Sequence, residues 1–119
     1  MKKITIQIQK TKLRNVFLME NLFELGIGLM FRKKSMALFK LPFCAKHSVY
    51  MLFMKFSLDL IFIDKNFKIV DIIENVSPVT LNPKSWKLYI PKKKCKYILE
   101  IKSGLAKKLN ASIGNPVKF

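Results

Sequence analysis

Residues 58–63, Leu-Asp-Leu-Ile-Phe-Ile, leave a strand almost no side for water. Successive side chains on a strand point to opposite faces, so Leu58, Leu60 and Phe62 share one face and Asp59, Ile61 and Ile63 the other. A strand apolar on both faces belongs in the middle of a sheet or in a closed barrel. The hexapeptide ends the longer run HSVYMLFMKFSLDLIFID (47–64), whose opening residues 47–53 read the same way. Asp59 is the anomaly. A lone carboxylate costs several kcal/mol to bury unless it is paired or hydrogen-bonded. The backbone of a turn over Phe53 to Ser57, Arg32 and His47 are the donors expected for it. Its structural role is an anchor for the turn between two central strands, and its functional role is an acid in a site; the anchor is the commoner use of such a group.

Other strands follow from alternation. Ile4, Ile6 and Ile8 alternate with Thr5, Gln7 and Gln9, which predicts a half-buried strand over 3–9 and excludes the unbroken apolar core of a secretion signal. Residues 15–20 read as its hairpin partner or continuation. Asn21 and Glu24 resemble a capping box for a short helix, which Gly26 and Gly28 would weaken. Residues 35–43 read as a strand ended by Pro42. Asp-Lys-Asn-Phe (64–67) is a turn, and 68–74 pair back as a hairpin. Residues 75–94 carry three prolines and read as the longest irregular segment, with strand pieces near 86–90. Residues 95–102 form a strand, Ser103 caps a short helix, and a last short strand follows a Gly-Asn turn. Six or seven strands and two short helices make one mainly β (α+β) domain over residues 1–119. A membrane span over 43–63 is rejected, because Lys55 and Asp59 would each cost about 2.5–3.5 kcal/mol near its middle.

The formal net charge is +16, from 23 Lys and Arg against 7 Asp and Glu. Such a field attracts polyanions. Yet Arg14 and Arg32 are the only arginines, and forked recognition of bases or phosphates favours arginine. Ile, Phe, Asn and Lys all have AT-rich codons, so compositional bias accounts for the lysines as readily as a partner does. Cys44 and Cys95 form neither a metal spacing nor a C-x-x-C pair. They fit buried thiols in a reducing, cytoplasmic setting, and spacing alone does not decide whether they bridge.

Five segments carry a family resemblance: GLMFR (28–32), HSVYMLFMKFSLDLIFID (47–64), PKSW (83–86), YILEIKSG (97–104) and IGN (113–115). Their order and spacing resemble the family called domain of unknown function 192, with H-x-x-x-M-x-x-M followed by L-D-x-x-F as the most specific part. The resemblance runs from about residue 13 onward. It implies a compact, barrel-like β fold with one or two short helices, and no activity. Asn115 stands where the family usually has Asp.

The candidate ligand-binding residues are Arg32, His47, Asp59, Trp86 and Glu100, polar or aromatic groups at strand ends and corners, where sites are usually grafted. Alternation sets Glu100 opposite Leu99 and Ile101, on a partly exposed face, where Arg32 would be a suitable partner. Trp86 could stack on a base or sugar. Cys44, His47, Met51 and Met54 are a soft donor set suited to Cu(I), but a regular strand separates the two methionines onto opposite faces, and core packing is the commoner use of methionine. No metal or other cofactor is therefore expected. Enzyme signatures such as G-x-S-x-G, a phosphate loop or H-E-x-x-H are missing from the sequence, and no catalytic residue is assigned. The expected function is a monomeric binding or accessory module for a small ligand or protein. Its rival is a nucleic-acid or anionic-surface binder using Lys84, Lys87, Lys92, Lys93 and Lys94 beside Trp86. A weaker alternative is an enzyme with His47 and Asp59 in hydrogen-bond reach within an open cleft.

Overall fold

The computed structural model describes residues 2–19, 36–45, 49–50, 57–76, 88–89 and 91–119. Strand β1 (Lys2–Ile8) pairs antiparallel with β2 (Thr11–Met19), which begins four residues before the apolar stretch that marks it in the sequence. β2 runs parallel to β3 (Ala37–Ala45), and β3 is antiparallel to β8 (Cys95–Lys102). β8 pairs with β5 (Leu58–Ile63), and β5 forms the expected hairpin with β6 (Ile69–Val76). Two short strands, β4 (Val49–Tyr50) and β7 (Leu88–Tyr89), make a separate antiparallel pair. The one described helix, α1, spans Leu105–Lys108, and β9 (Val117–Lys118) pairs with β1. The main sheet has seven strands in the order β6-β5-β8-β3-β2-β1-β9.

This sheet curls until its ends meet. Lys68 and Pro116 form an antiparallel bridge. The Ile69 N–H donates to Asn115 O at 2.9 Å, Gly114 N–H to Ile69 O at 2.8 Å and Val117 N–H to Phe67 O at 2.8 Å. Residues 114–118 thereby stitch the β6 side to β1, giving the barrel-like sheet expected from doubly apolar strands. Bulges assist the curl, since an extra residue bends a strand and strengthens its twist. On β2 the extra residue falls between Leu13 and Val16, where Asn15 has φ 58; on β6 one falls between Ile73 and Val76, where Asn75 has φ 53. Asparagine accepts this left-handed backbone better than other L residues with side chains of its size. Pro42 does not end β3. The strand continues to Ala45, and pairing with β8 breaks between Lys40 and Ala45 around the proline, which has no N–H to offer.

Every residue of β5 is buried. Ile61 and Ile63 join Ile6, Ile8, Val16, Leu38, Leu99 and Ile101 in the barrel interior. Leu58, Leu60 and Phe62 join Ala37, Phe39, Cys95 and Ile98 in a second cluster on the outer face. α1 plugs one end of the barrel with Ala106, and Leu109 just beyond it adds to the same cluster. The chain enters this plug through Gly104 at φ 91, where an added Cβ would meet no atom within 4 Å. Gly104→Ala therefore costs only backbone strain, about 1–2 kcal/mol; a thermal melt should show a loss of several degrees with native circular dichroism retained.

Candidate functional site

Asp59 lies on the interior face of β5, fully buried, as alternation requires. Its donors are all backbone groups. The bulge on β6 turns the Asn75 N–H toward Oδ1 at 2.8 Å. At the exit from β8, the N–H groups of Gly104 and Ala106 each donate to Oδ2 at 3.0 Å. Phe53 to Phe56, Arg32 and His47, expected as donors, lie outside the described residues. Ser103, expected to cap the helix, donates instead through Oγ to Asn75 Oδ1 at 2.9 Å. Gly104 occupies the cap position and supplies no side-chain bond, so the carboxylate of Asp59 serves the first turn of α1 from the neighbouring strand β5. Hydrogen bonds to an ionised acceptor are about twice as strong as neutral ones, and three of them offset much of the cost of burial. Asp59 is thus an anchor joining β5, β6 and α1. Both oxygens are engaged and neither reaches solvent.

Glu100 is also buried, not partly exposed. Its strand is central, with Ala37 of β3 opposite on one side and Leu60 of β5 on the other. Alternation gave its face correctly but could not show that the outer face is covered too. Asp59 falls with Ile61 and Glu100 with Ile98, so the two carboxylates face opposite sides of the sheet and share no pocket. Arg32, His47, Trp86, Lys84 and Lys87 lie outside the described residues, as do the side chains of the Cu(I) donor set. Among the described residues no group of three His, Cys, Asp or Glu is placed to hold a metal, and no helix is long and apolar enough to cross a membrane.

Lys92, Lys93 and Lys94 are exposed, directly after buried Pro91. Their loop is tied down by Asp71, a buried carboxylate that sequence reasoning passed over. Asp71 Oδ2 accepts the Lys92 N–H at 2.9 Å, while Oδ1 accepts the Ile72 N–H at 2.8 Å. Asp71→Ala removes an acceptor of a buried-to-surface bond worth about 1–3 kcal/mol, and should raise hydrogen exchange at Lys92 more than at the β5 amides.

The barrel end opposite α1 carries a feature missed in the sequence. Interior-facing Ile4 of β1, Leu18 of β2, Lys40 of β3 and Tyr97 of β8 line a groove of about 250 Å³ with Phe67 and Phe119. Phe67 stacks on Tyr97 with ring centres 5.5 Å apart, and Phe119 meets both rings edge-on at 5.2 and 5.1 Å. Tyr97 forms the buried floor, whereas Phe67 is 42% and Phe119 44% exposed. Phe67 sits in the β5–β6 turn at φ 61, a left-handed conformation in which a bulky residue is an outlier. The turn is otherwise conventional: Asp64 Oδ1 accepts the N–H groups of Asn66 at 2.9 Å and Lys68 at 3.0 Å. An aromatic residue where a turn of this kind favours Gly or Asn was the signal available in the sequence.

A curled β sheet, plugged by a short helix at one end and aromatic-lined at the other, defines a mostly β, barrel-like protein. Residues 4–119 match the model of the DUF192 family, described as "Uncharacterized ACR, COG1430", and the chain belongs to that family. A UPF0127 protein from Pyrococcus horikoshii is 36% identical over 103 residues, covering 84% of this chain and 83% of its own length. One from Pyrococcus furiosus is 33% identical, with 84% and 82% covered. The fold is similar to that of two solved structures. One is a Sinorhizobium meliloti protein described as "a putative transcription regulator", with TM-score 0.86, 22% identity, and 98% of this chain and 93% of that one covered. The other is a Novosphingobium aromaticivorans protein of unknown function, with TM-score 0.84, 21% identity, and 98% and 85% covered.

Proposed function

We propose that this protein is a non-catalytic binding module that takes its ligand at the aromatic end of the barrel, working as a monomer in the cytoplasm. The observation that supports this reading is the pair of exposed rings, Phe67 and Phe119, above buried Tyr97 and beside Lys40. Burial of the two rings would have removed apolar area from water, at about 25 cal/mol per Å², and the fold leaves them open. The function class is the one expected from the sequence; the barrel mouth is proposed as a site beside the expected Arg32, His47, Asp59, Trp86 and Glu100 set, of which Arg32, His47 and Trp86 lie outside the described residues. Benzoate, an aromatic anion small enough for the groove, is a suitable probe. Titration should give saturable amide shifts at Ile4, Leu18 and Tyr97, weakened by Lys40→Ala. Shifts scattered over the surface without saturation would end this reading.

The rival reading, attraction of polyanions by the lysine-rich region, is supported by the exposure of Lys92, Lys93 and Lys94. Other exposed lysines lie on β1, β2, β3, the β5–β6 turn, α1 and β9. So broad a spread attracts polyanions without selecting one face.

A further inference from the structure

We infer that the barrel mouth is a stacking platform for single-stranded nucleic acid, with an unpaired base stacked on one of the nearly perpendicular Phe67 and Phe119 rings and edge-on to the other, and phosphates along nearby lysines. This inference rests on the reading of the mouth as a ligand site and names its ligand class.

Three observations point the same way. The first is the charge around the rings. Lys65 and Lys68 flank Phe67 in the turn, Lys118 precedes Phe119, and Lys40 lines the groove; all four are exposed. The set comes from three elements, Lys40 in the groove itself and the others next to the rings in sequence, which suits successive phosphates better than one small carboxylate.

The second is where the acids have gone. Asp59, Asp71 and Glu100 are buried. Asp64, the acid nearest the rings in sequence, is half-buried and spends Oδ1 on two backbone N–H groups. Glu74 is the one exposed acid among the described residues, and it lies toward the far end of β6. Among the described residues, little therefore opposes an anionic backbone near the mouth.

The third is the ring at position 67. Glycine would hold the φ of 61 without strain, yet a phenylalanine stands there and shows 42% of its surface. A base has a π-face of the size these rings offer, and stacking on aromatic side chains is how proteins hold single strands without reading sequence. A groove of about 250 Å³ admits one ring system and no duplex. Paired bases in a duplex keep their faces against one another, so single strands should be preferred.

The test is fluorescence anisotropy with labelled ten-nucleotide oligothymidylate, a duplex of equal length, and heparin as a purely ionic competitor. Anionic vesicles of phosphatidylserine and phosphatidylcholine form a separate arm. The inference expects oligothymidylate to bind more tightly than the duplex, with affinity falling steeply as salt rises. Phe119→Leu should weaken oligothymidylate binding about tenfold and leave heparin binding unchanged. Phe67→Gly, which relieves the backbone, should do the same and keeps the test interpretable where the leucine variant folds poorly. Equal loss for heparin, equal binding of duplex, or binding to vesicles alone overturns it. If benzoate still shifts the mouth resonances while oligothymidylate does not bind, the nucleic-acid inference fails and the ligand site stands. If neither perturbs the mouth, both fall.

Discussion

Asp59→Ala should destabilise the protein by about 3–5 kcal/mol, because three backbone donors lose a charged acceptor and one of them, the Ala106 N–H, is buried. At a few degrees per kcal/mol for a chain of this size, the melting temperature falls by about 10–20 °C. The Asn75, Gly104 and Ala106 N–H groups cannot all find water, since Ala106 is 1% exposed and Asp59 itself is fully buried. Asp59→Asn keeps one acceptor oxygen but turns an NH₂ toward a donor, so its loss should be intermediate. Hydrogen exchange adds a positional check: protection at Gly104 and Ala106 should drop first. A melting temperature unchanged in the alanine variant would remove the anchor from this account of the fold.

Adjacent substitutions on β5 make the second large effect. In a half-exposed strand, one of two neighbouring positions tolerates truncation. Here Ile61 belongs to the barrel interior and Phe62 to the outer cluster, each fully buried. Ile61→Ala should cost about 2–5 kcal/mol and Phe62→Ala about 3–5 kcal/mol, from lost transfer energy and the cavities left behind. Chemical denaturation of the two variants separates this arrangement from an amphipathic strand. A loss below about 1 kcal/mol at either position would show that one face is wet.

Most of the fold was legible because alternation carries it. The limits of β8 match the sequence reading at both ends, the 64–67 turn and its hairpin stand where expected, and the two-sided character of β5 predicted an inner strand. Alternation gives the face of a residue but not what covers that face, so it places Glu100 on the correct face without showing that this face is covered. Asp59 was recognised as buried and in need of donors, but backbone N–H groups 16, 45 and 47 residues away have no side-chain signature. Pro42 reads as a terminator because a proline breaks a regular ladder; a ladder already interrupted between Lys40 and Ala45 tolerates it. The aromatic mouth was illegible for a different reason. Its members lie at positions 4, 18, 40, 67, 97 and 119, and only curling of the sheet brings them together.

The seam between β9 and the strands it joins has a consequence for biosynthesis. β1 leaves the ribosome before residues 114–118, its eventual neighbour, which are made more than a hundred positions later. At cellular translation speeds of about 5–20 residues per second, the nascent β1 border waits roughly 5–20 s for that neighbour. Unpaired strand borders invite intermolecular pairing, and lysines are a common deterrent. Exposed Lys3 and Lys10, at the two ends of that border, place like charge where two growing chains would otherwise meet.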